Sequence, residues 1–313
     1  MIEIRKDYIL NRWSYIAADR GKRVKQFDKI ETNHKDSVCF FCVGNEQLTP
    51  PEIGRIGNKS SWKVRWFPNK FPAVDENSIQ ETMTSEKYYT SGGAFGYHEV
   101  IAETPDHERQ FSDLNENEIK DVLLAYTERM KDLSKRDKIK YVQIFKNSGA
   151  EAGTSIIHTH TQIVATTIVP RLVQEEVDAL KKYKKCPYCD IIKSEEKSNR
   201  LIFSDENFIV FAPYAPRYNY EAWIFPKKHY KNITELNNAE LDSLAKSFKI
   251  VVSKLGIMNF PYNFYLHYSP KGKDLHFHFE ITPRTNKWAG FELATESYVI
   301  ITSPEDAAKF YKE

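Results

Sequence analysis

Apolar residues recur at three- and four-residue steps through Ile119, Val122, Leu123, Tyr126 and Met130, and again through Leu241, Leu244, Phe248 and Val251. That spacing gives a helix one buried face. Each run follows an Asn with a Glu three residues later, Asn115 with Glu118 and Asn237 with Glu240. This is a variant of the capping box, and it predicts that the two helices start there. Shorter apolar, β-branched runs at Val100–Ile101 and Trp223–Ile224 predict strands, each ending before a His. Two further strands are expected after each helix, near Tyr141–Phe145 and Ile156–Ala165, then near Asn263–Tyr268 and Leu275–Thr282. The Glu- and Lys-rich stretch Ile168–Lys184 predicts a linking helix, and the polar, aperiodic stretch Ser78–Thr90 predicts a mobile loop. The expected class is α+β, an antiparallel sheet with helices packed on one face.

The pattern occurs twice. His98-Glu-Val-Ile-Ala-Glu-Thr-Pro-Asp-His107 aligns without a gap on Tyr220-Glu-Ala-Trp-Ile-Phe-Pro-Lys-Lys-His229, and Phe111–Glu118 aligns on Ile233–Glu240. A Cys-x-x-Cys precedes each copy (Cys39 and Cys42; Cys186 and Cys189) and a His-x-His follows each (His158 and His160; His276 and His278). Two tandem copies of one unit are therefore expected, 1–169 and 170–313, with the boundary between Pro170 and Lys185.

Composition narrows the partners. A formal net charge of +2 over 313 residues gives no reason to expect nucleic acid. No run of about 18 apolar residues exists, so no membrane span is expected, and the first seven residues lack an apolar signal core, which points to the cytosol. All four cysteines fall in the two Cys-x-x-Cys pairs. In a reducing compartment such pairs bind metal more often than they form disulfides. With His107 and His158, and with His229 and His276, each pair makes a Cys2His2 set suited to tetrahedral zinc, two ions per chain. Four protein ligands close the shell, so the expected role is structural. His34 and His267 carry no motif and are read as structural residues.

The segment Asn147-Ser-Gly-Ala-Glu-Ala-Gly153-Thr154-Ser155-Ile-Ile-His158-Thr-His160-Thr-Gln162 holds the candidate chemistry. Gly149 and Gly153 permit tight turns, and Asn147, Thr154 and Ser155 are short donors for phosphate oxygens. His158 and His160 are two residues apart, so on a strand both face the same way. One can ligate metal while the other is held rigidly beside it. A neutral imidazole is a nucleophile near pH 7 without a helper base. Gln162 extends the series as a donor without negative charge. In the second copy Glu280 takes that place, where a carboxylate would repel phosphate, so catalysis is assigned to the first copy. Lys271 and Lys273 are read as solvated loop charges, with phosphate binding as the alternative.

His158-Thr-His160-Thr-Gln162, preceded by Gly153-Thr-Ser155, resembles the His-x-His-x-Gln motif of the galactose-1-phosphate uridylyltransferase branch of the histidine-triad superfamily. The resemblance extends over Cys39–Glu52, Arg65–Ala73, Pro105-Asp-His107, Gly290-Phe-Glu292 and Ser303–Asp306. It implies two histidine-triad units with an extended sheet. It also implies His160 as the covalent nucleophile, His158 as a zinc ligand, Ser155 and Gln162 at the phosphates, Asn69 and Lys70 on the nucleotide-contacting strand, and a homodimer. The implied substrates are a nucleotide sugar and a sugar-1-phosphate. Many uridylyltransferases carry an acidic residue where this chain has Lys70. A related group with two Cys2His2 zincs acts on ADP-glucose. Uridylyl transfer from UDP-glucose to a hexose-1-phosphate is the first expectation. An ADP-sugar or dinucleoside-polyphosphate phosphorylase is the second, and a zinc-bound nucleotide-binding module without turnover the third.

Overall fold

The computed structural model describes residues 3–6, 13–16, 38–59, 61–78 and 84–313. Ten strands form one antiparallel sheet: β3 (Gly54–Gly57), β4 (Trp62–Pro68), β7 (Gly96–Ala102), β8 (Tyr141–Ser148), β9 (His160–Thr166), β10 (Leu201–Ser204), β11 (Phe208–Phe211), β12 (Ala222–Pro226), β13 (Tyr262–His267) and β14 (His278–Pro283). Their order is β10-β11-β12-β14-β13-β8-β9-β7-β4-β3, which reads alike from either end about the β13–β8 joint. A four-stranded sheet stands beside it, in the order β2-β1-β6-β5, from β1 (Glu3–Lys6), β2 (Trp13–Ile16), β5 (Thr84–Glu86) and β6 (Tyr89–Gly93). The helices are α1 (Glu116–Leu133), α2 (Arg171–Leu180), α3 (Pro187–Glu195), α4 (Asn238–Ile257), α5 (Gly290–Thr295) and α6 (Pro304–Lys312).

Helices α1 and α4 start where the capping boxes predict. Asn115 Oδ1 accepts from the Glu118 N–H and Glu118 accepts in return from the Asn115 N–H. Asn237 and Glu240 do the same. Their apolar stripes pack on one face of the sheet. Strand parity sorts the other residues, because directly paired residues share a face. Trp66, Ile101 and Thr161 lie in line on the helix side, as do Lys146 and Thr161. Phe67, Val100, Gln162 and Phe145 lie in line on the opposite side. The two halves meet where β13 pairs with β8 from Tyr262–Ser148 to Tyr265–Phe145. Tyr141 and Tyr268 stack with centroids 4.4 Å apart, and each hydroxyl accepts an N–H from the other's strand. Gly149, at φ +88°, turns the chain after β8, and a Cβ there would meet Pro261 Cβ at 2.8 Å.

Three expectations need correction. Ser78–Thr90 is not all loop: Thr84–Glu86 pairs with β6, which also pairs with β1. Backbone pairing, not an apolar pattern, builds this segment, so its sequence carries no period. The linking helix covers only Arg171–Leu180, and Cys186 caps a separate helix opened by Pro187. Strands β9 and β14 start at His160 and His278, later than predicted. The rings of His158 and His276 are instead held outside the ladder by the carbonyls of Thr104 and Pro226. His34 lies outside the described residues. No helix among the described residues is long and apolar enough to cross a membrane.

Phe248 of α4 contacts rings from both halves, Phe111 at 6.0 Å, Phe264 at 5.1 Å and Phe279 at 4.9 Å. It is fully buried. Phe248→Ala is expected to cost about 3–5 kcal/mol through lost contacts and the cavity left behind. Chemical denaturation would read this as a lowered midpoint with the slope unchanged.

Candidate active site and metal sites

Two sets of four potential ligands come together as the repeat predicts. Cys39, Cys42, His107 and His158 present donor atoms within 4.8 Å of one another, and so do Cys186, Cys189, His229 and His276. Zn–S bonds of about 2.3 Å and Zn–N bonds of about 2.0–2.1 Å at a tetrahedral angle put sulfur and nitrogen about 3.5 Å apart. The observed Sγ–Nδ1 separations are 3.6 Å for Cys39–His158, 3.4 Å for Cys42–His107 and 3.6 Å for Cys42–His158. In the second set they are 3.4 Å for Cys189–His229 and 3.6 Å for Cys189–His276.

The outward nitrogens are also held. His158 Nε2 donates to Thr104 O at 2.7 Å, and His276 Nε2 donates to Pro226 O at 2.9 Å. His229 Nε2 lies 3.0 Å from Asp274 Oδ1. A carbonyl can only accept, so for His158 and His276 the lone pair is on Nδ1, facing the sulfurs. Burial and the neighbouring Cys39 push the Cys42 thiol up to about 12, and burial with Cys186 pushes Cys189 up to about 11. A divalent cation is what would make such sulfurs thiolates, so both sets fit zinc.

Between the first set and β8, His160 is 7% exposed and lines two cavities. Its Nδ1 donates to His158 O at 2.9 Å, which leaves the lone pair on Nε2. Burial first, then the nearby Lys146 charge, lower its pKa to about 4, so it is neutral at pH 7. The smaller cavity, about 180 Å³, is lined by Phe41, Leu48, Phe67 and Val100, and by Asn69, Lys70, Ser155 and Gln162. The larger, about 780 Å³, takes Asn147, Thr154, Tyr262 and Arg284. Asn147 Oδ1 accepts from Asn263 Nδ2 at 2.8 Å, which leaves its NH2 to donate. Gly153 lines neither cavity but turns the loop at φ +89°. The structure thus gathers His160, Gln162, Ser155, Asn69 and Lys70 around one space, and Asn147 and Thr154 around the adjoining one. Lys271 lies elsewhere, in a third cavity with Lys135, Lys138 and Lys140.

Sequence reasoning missed the groups beneath this site. On the helix side, Lys146 Nζ donates to Glu103 at 2.5 Å, to Thr159 Oγ1 at 2.8 Å and to the carbonyl of His160 at 3.0 Å. Glu103 also accepts from Thr159 and Thr161. His98, 5% exposed, stands between Asn69 and Gln162 on the cavity side. The strand parity of His98 with Val100 was the available signal for it.

The second half differs. His278 is fully buried, stacked on Phe225 at 4.4 Å and flanked by Tyr188 and Trp223. Glu280 binds the Arg217 guanidinium. His267, read from sequence as structural, lies with Glu176, His278 and Glu280 in a third cluster of donor atoms. Its Nδ1 lies 2.8 Å from Glu176 Oε1.

Residues 3–170 match the profile of the galactose-1-phosphate uridyl transferase N-terminal domain, and residues 98–310 match that of a domain of unknown function. ADP-glucose phosphorylase of Arabidopsis thaliana is 34% identical over 99% of this chain and 92% of its own. Galactose-1-phosphate uridylyltransferase of Thermotoga maritima is 28% identical over 100% of this chain and 98% of its own. A crystal structure of an Arabidopsis thaliana ADP-glucose phosphorylase with bound ADP-glucose superposes with a TM-score of 0.79, at 32% identity, over 100% of this chain and 99% of that one.

The depressed His160 pKa sets a pH dependence. Between about 4 and the ordinary imidazole value of 6.5 the unfolded chain binds a proton that the folded chain refuses. The stability contributed by burying the neutral ring is therefore present above 6.5 and lost as pH falls through that window. Thermal unfolding from pH 7 to pH 4 should show this loss, with a shallower slope for His160→Gln.

Proposed function

The chain belongs to the galactose-1-phosphate uridylyltransferase family and is a nucleotidyltransferase; from that premise we propose that it moves a nucleoside monophosphate from a nucleotide sugar through a covalent nucleotidyl-His160. The observation that carries this is the neutral imidazole of His160, with Nδ1 committed to His158 O and Nε2 free, between two cavities. Nε2 attacks the α-phosphorus. A P–N bond forms, the bridging P–O bond breaks, and hexose-1-phosphate leaves as a stable anion. The acceptor's phosphate oxygen then attacks the same phosphorus and returns the imidazole, a ping-pong course. Gln162 and Ser155 donate to the α-phosphate oxygens, and Asn147 and Thr154 to the group beyond them. Zinc in each Cys2His2 set, two per chain, would supply structural cross-linking and no open coordination position. The supporting geometry is the Sγ–Nδ1 spacing of both sets.

The base we assign is adenine, with phosphate as acceptor. Where many uridylyltransferases carry an acidic residue, this chain lines the smaller cavity with Lys70, whose ammonium can donate to an adenine ring nitrogen but cannot accept from the N3–H of uracil. The identity to the ADP-glucose phosphorylase supports the same choice. Uridylyl transfer to a hexose-1-phosphate, the first expectation from sequence, stays as the second reading, favoured by the N-terminal family match and the Thermotoga relative. A homodimer in the cytosol completes the proposal. Phe291, Leu293, Val299 and Ile301, all exposed around and beyond α5, supply an apolar surface for a second copy.

Incubation with labelled ADP-glucose or UDP-glucose, without acceptor, tests the reaction. Mass spectrometry should find one nucleotidyl group on His160, with ADP-glucose the better donor. His160→Gly should abolish labelling and turnover with both zincs retained by elemental analysis. His158→Ala should lose zinc and melt lower, and His278→Ala should be milder than His160→Gly. An adduct on His278 would place catalysis in the wrong half, and preferential labelling by UDP-glucose would reverse the base assignment.

A further inference from the structure

His98 is the buried side chain that ties the two polar ends of the smaller cavity together. Its Nδ1 lies 3.0 Å from the backbone N–H of Ala73. Its Nε2 lies 3.0 Å from Gln162 Oε1 and 3.1 Å from Asn69 Nδ2. Residues His98 and Val100 alternate onto the cavity side of β7, where Val100 pairs directly with Gln162 of β9.

The hydrogen-bond roles follow by elimination. An amide N–H can only donate, so Ala73 requires a lone pair on His98 Nδ1. The neutral ring then carries its hydrogen on Nε2, and the Gln162 atom facing it must be the oxygen. The Nε2–H already faces a nitrogen on the Asn69 side, and the flipped amide would replace the Gln162 oxygen with a second one. With its oxygen committed to His98, Gln162 has its NH2 arm left for the cavity beside His160. Asn69 is fixed as well, because its oxygen accepts the Phe71 N–H and its NH2 lies on the His98 side. Nε2 cannot both donate to Gln162 and accept from Asn69, so the Asn69 NH2 is left to seek an acceptor in the cavity.

We propose that His98 is a positioning residue for nucleotidyl transfer: it fixes the Gln162 amide with the oxygen turned away and the NH2 turned toward the α-phosphate. Without this lock the amide can present its oxygen to an anion. The inference deepens the proposed function and rests on it for the phosphate, but the tautomer of His98 does not depend on that reading.

The first test is therefore made on the ligand-free protein. Nitrogen-15 NMR of the ring should show the Nε2–H tautomer of His98, and an Nδ1–H tautomer would overturn the inference whatever the reaction. The second is a double-mutant cycle on the rate of His160 nucleotidylation. A donor to a developing phosphate charge contributes on the order of 10²-fold. His98→Phe is expected to slow the step by roughly 10- to 100-fold, in kcat and not KM, against the wild type. In the Gln162→Ala background it should slow it less than about twofold, since the group it acts through is gone. Equal losses in both backgrounds would reduce His98 to a packing residue. Two variants cover the case in which the Phe variant fails to fold. His98→Gln places an amide nitrogen where Nε2 lies and should restore most of the rate, while His98→Asn reaches only the Nδ1 position and should not. Equal rates for the Gln and Asn variants would overturn the role. If wild-type protein forms no nucleotidyl adduct with any nucleotide sugar, the reaction assignment falls, and the NMR result still decides the tautomer.

Discussion

The buried carboxylate of Glu103 is the constraint around which the first half is arranged. It stands just past β7, on the helix side of the sheet, with its side chain wholly excluded from solvent. A buried charge there is tolerable only if it is paired and its lone pairs are filled. Lys146 of β8 supplies the countercharge, and the hydroxyls of Thr159 and Thr161 fill the remaining positions, with Tyr126 of α1 at 3.4 Å. Thr159 and Thr161 lie on either side of His160. Satisfying one carboxylate thus fixes the residues alternating with the histidine, and the third bond of Lys146 holds the histidine's own carbonyl. A network of this kind is strong when complete and costly when broken. The nucleophile we assign is therefore held by buried groups on the far face of its own strand.

The same skeleton in the second half leads to a different result, and charge explains why. Gln162 and Glu280 occupy matching places, but a neutral amide on the cavity face can remain open to a ligand, whereas a buried carboxylate there demands a cation. Arg217 provides it, within the protein. Aromatic rings complete the enclosure: Phe225 lies against His278, with Trp223 and Tyr188 beside it. The Cys2His2 frame is retained while the space next to the second histidine is filled. A neutral amide in one half, and a carboxylate with its own arginine and a wall of aromatic rings in the other, separate an open site from one that has neutralised itself.

What was legible in the sequence was local or repeated. The capping boxes place both long helices because Asn115 and Asn237 bond within their own first turn. The ligand sets are legible because the repeat gives the same order of Cys and His twice. The groups that escaped notice act across strands. Lys146 looks like an ordinary charged residue of a half-exposed strand until parity places it inside, opposite Thr161. His98 aligns with Tyr220 in the repeat, so comparison of the halves marks it as unremarkable. His267 has no motif because its partners, Glu176 and Glu280, come from α2 and β14. The hairpin at Thr84–Glu86 is invisible for a related reason: its order comes from pairing with β6 and not from its own pattern.

The two histidines of the motif show how a short spacing can separate two chemistries. His158 reaches a carbonyl with Nε2 and so turns the Nδ1 lone pair toward the cysteines. His160 reaches a carbonyl with Nδ1 and so keeps its lone pair on Nε2, at the cavities. The acceptor for the second ring is the carbonyl of the first residue, so the placement of His158 sets the tautomer of His160. A metal bound to the Nδ1 of His158 would stiffen that carbonyl without touching the reacting group. A closed shell of four ligands would thus bear on the neighbouring site without offering it a coordination position: fixing one imidazole fixes the acceptor that decides which nitrogen of the next keeps its lone pair.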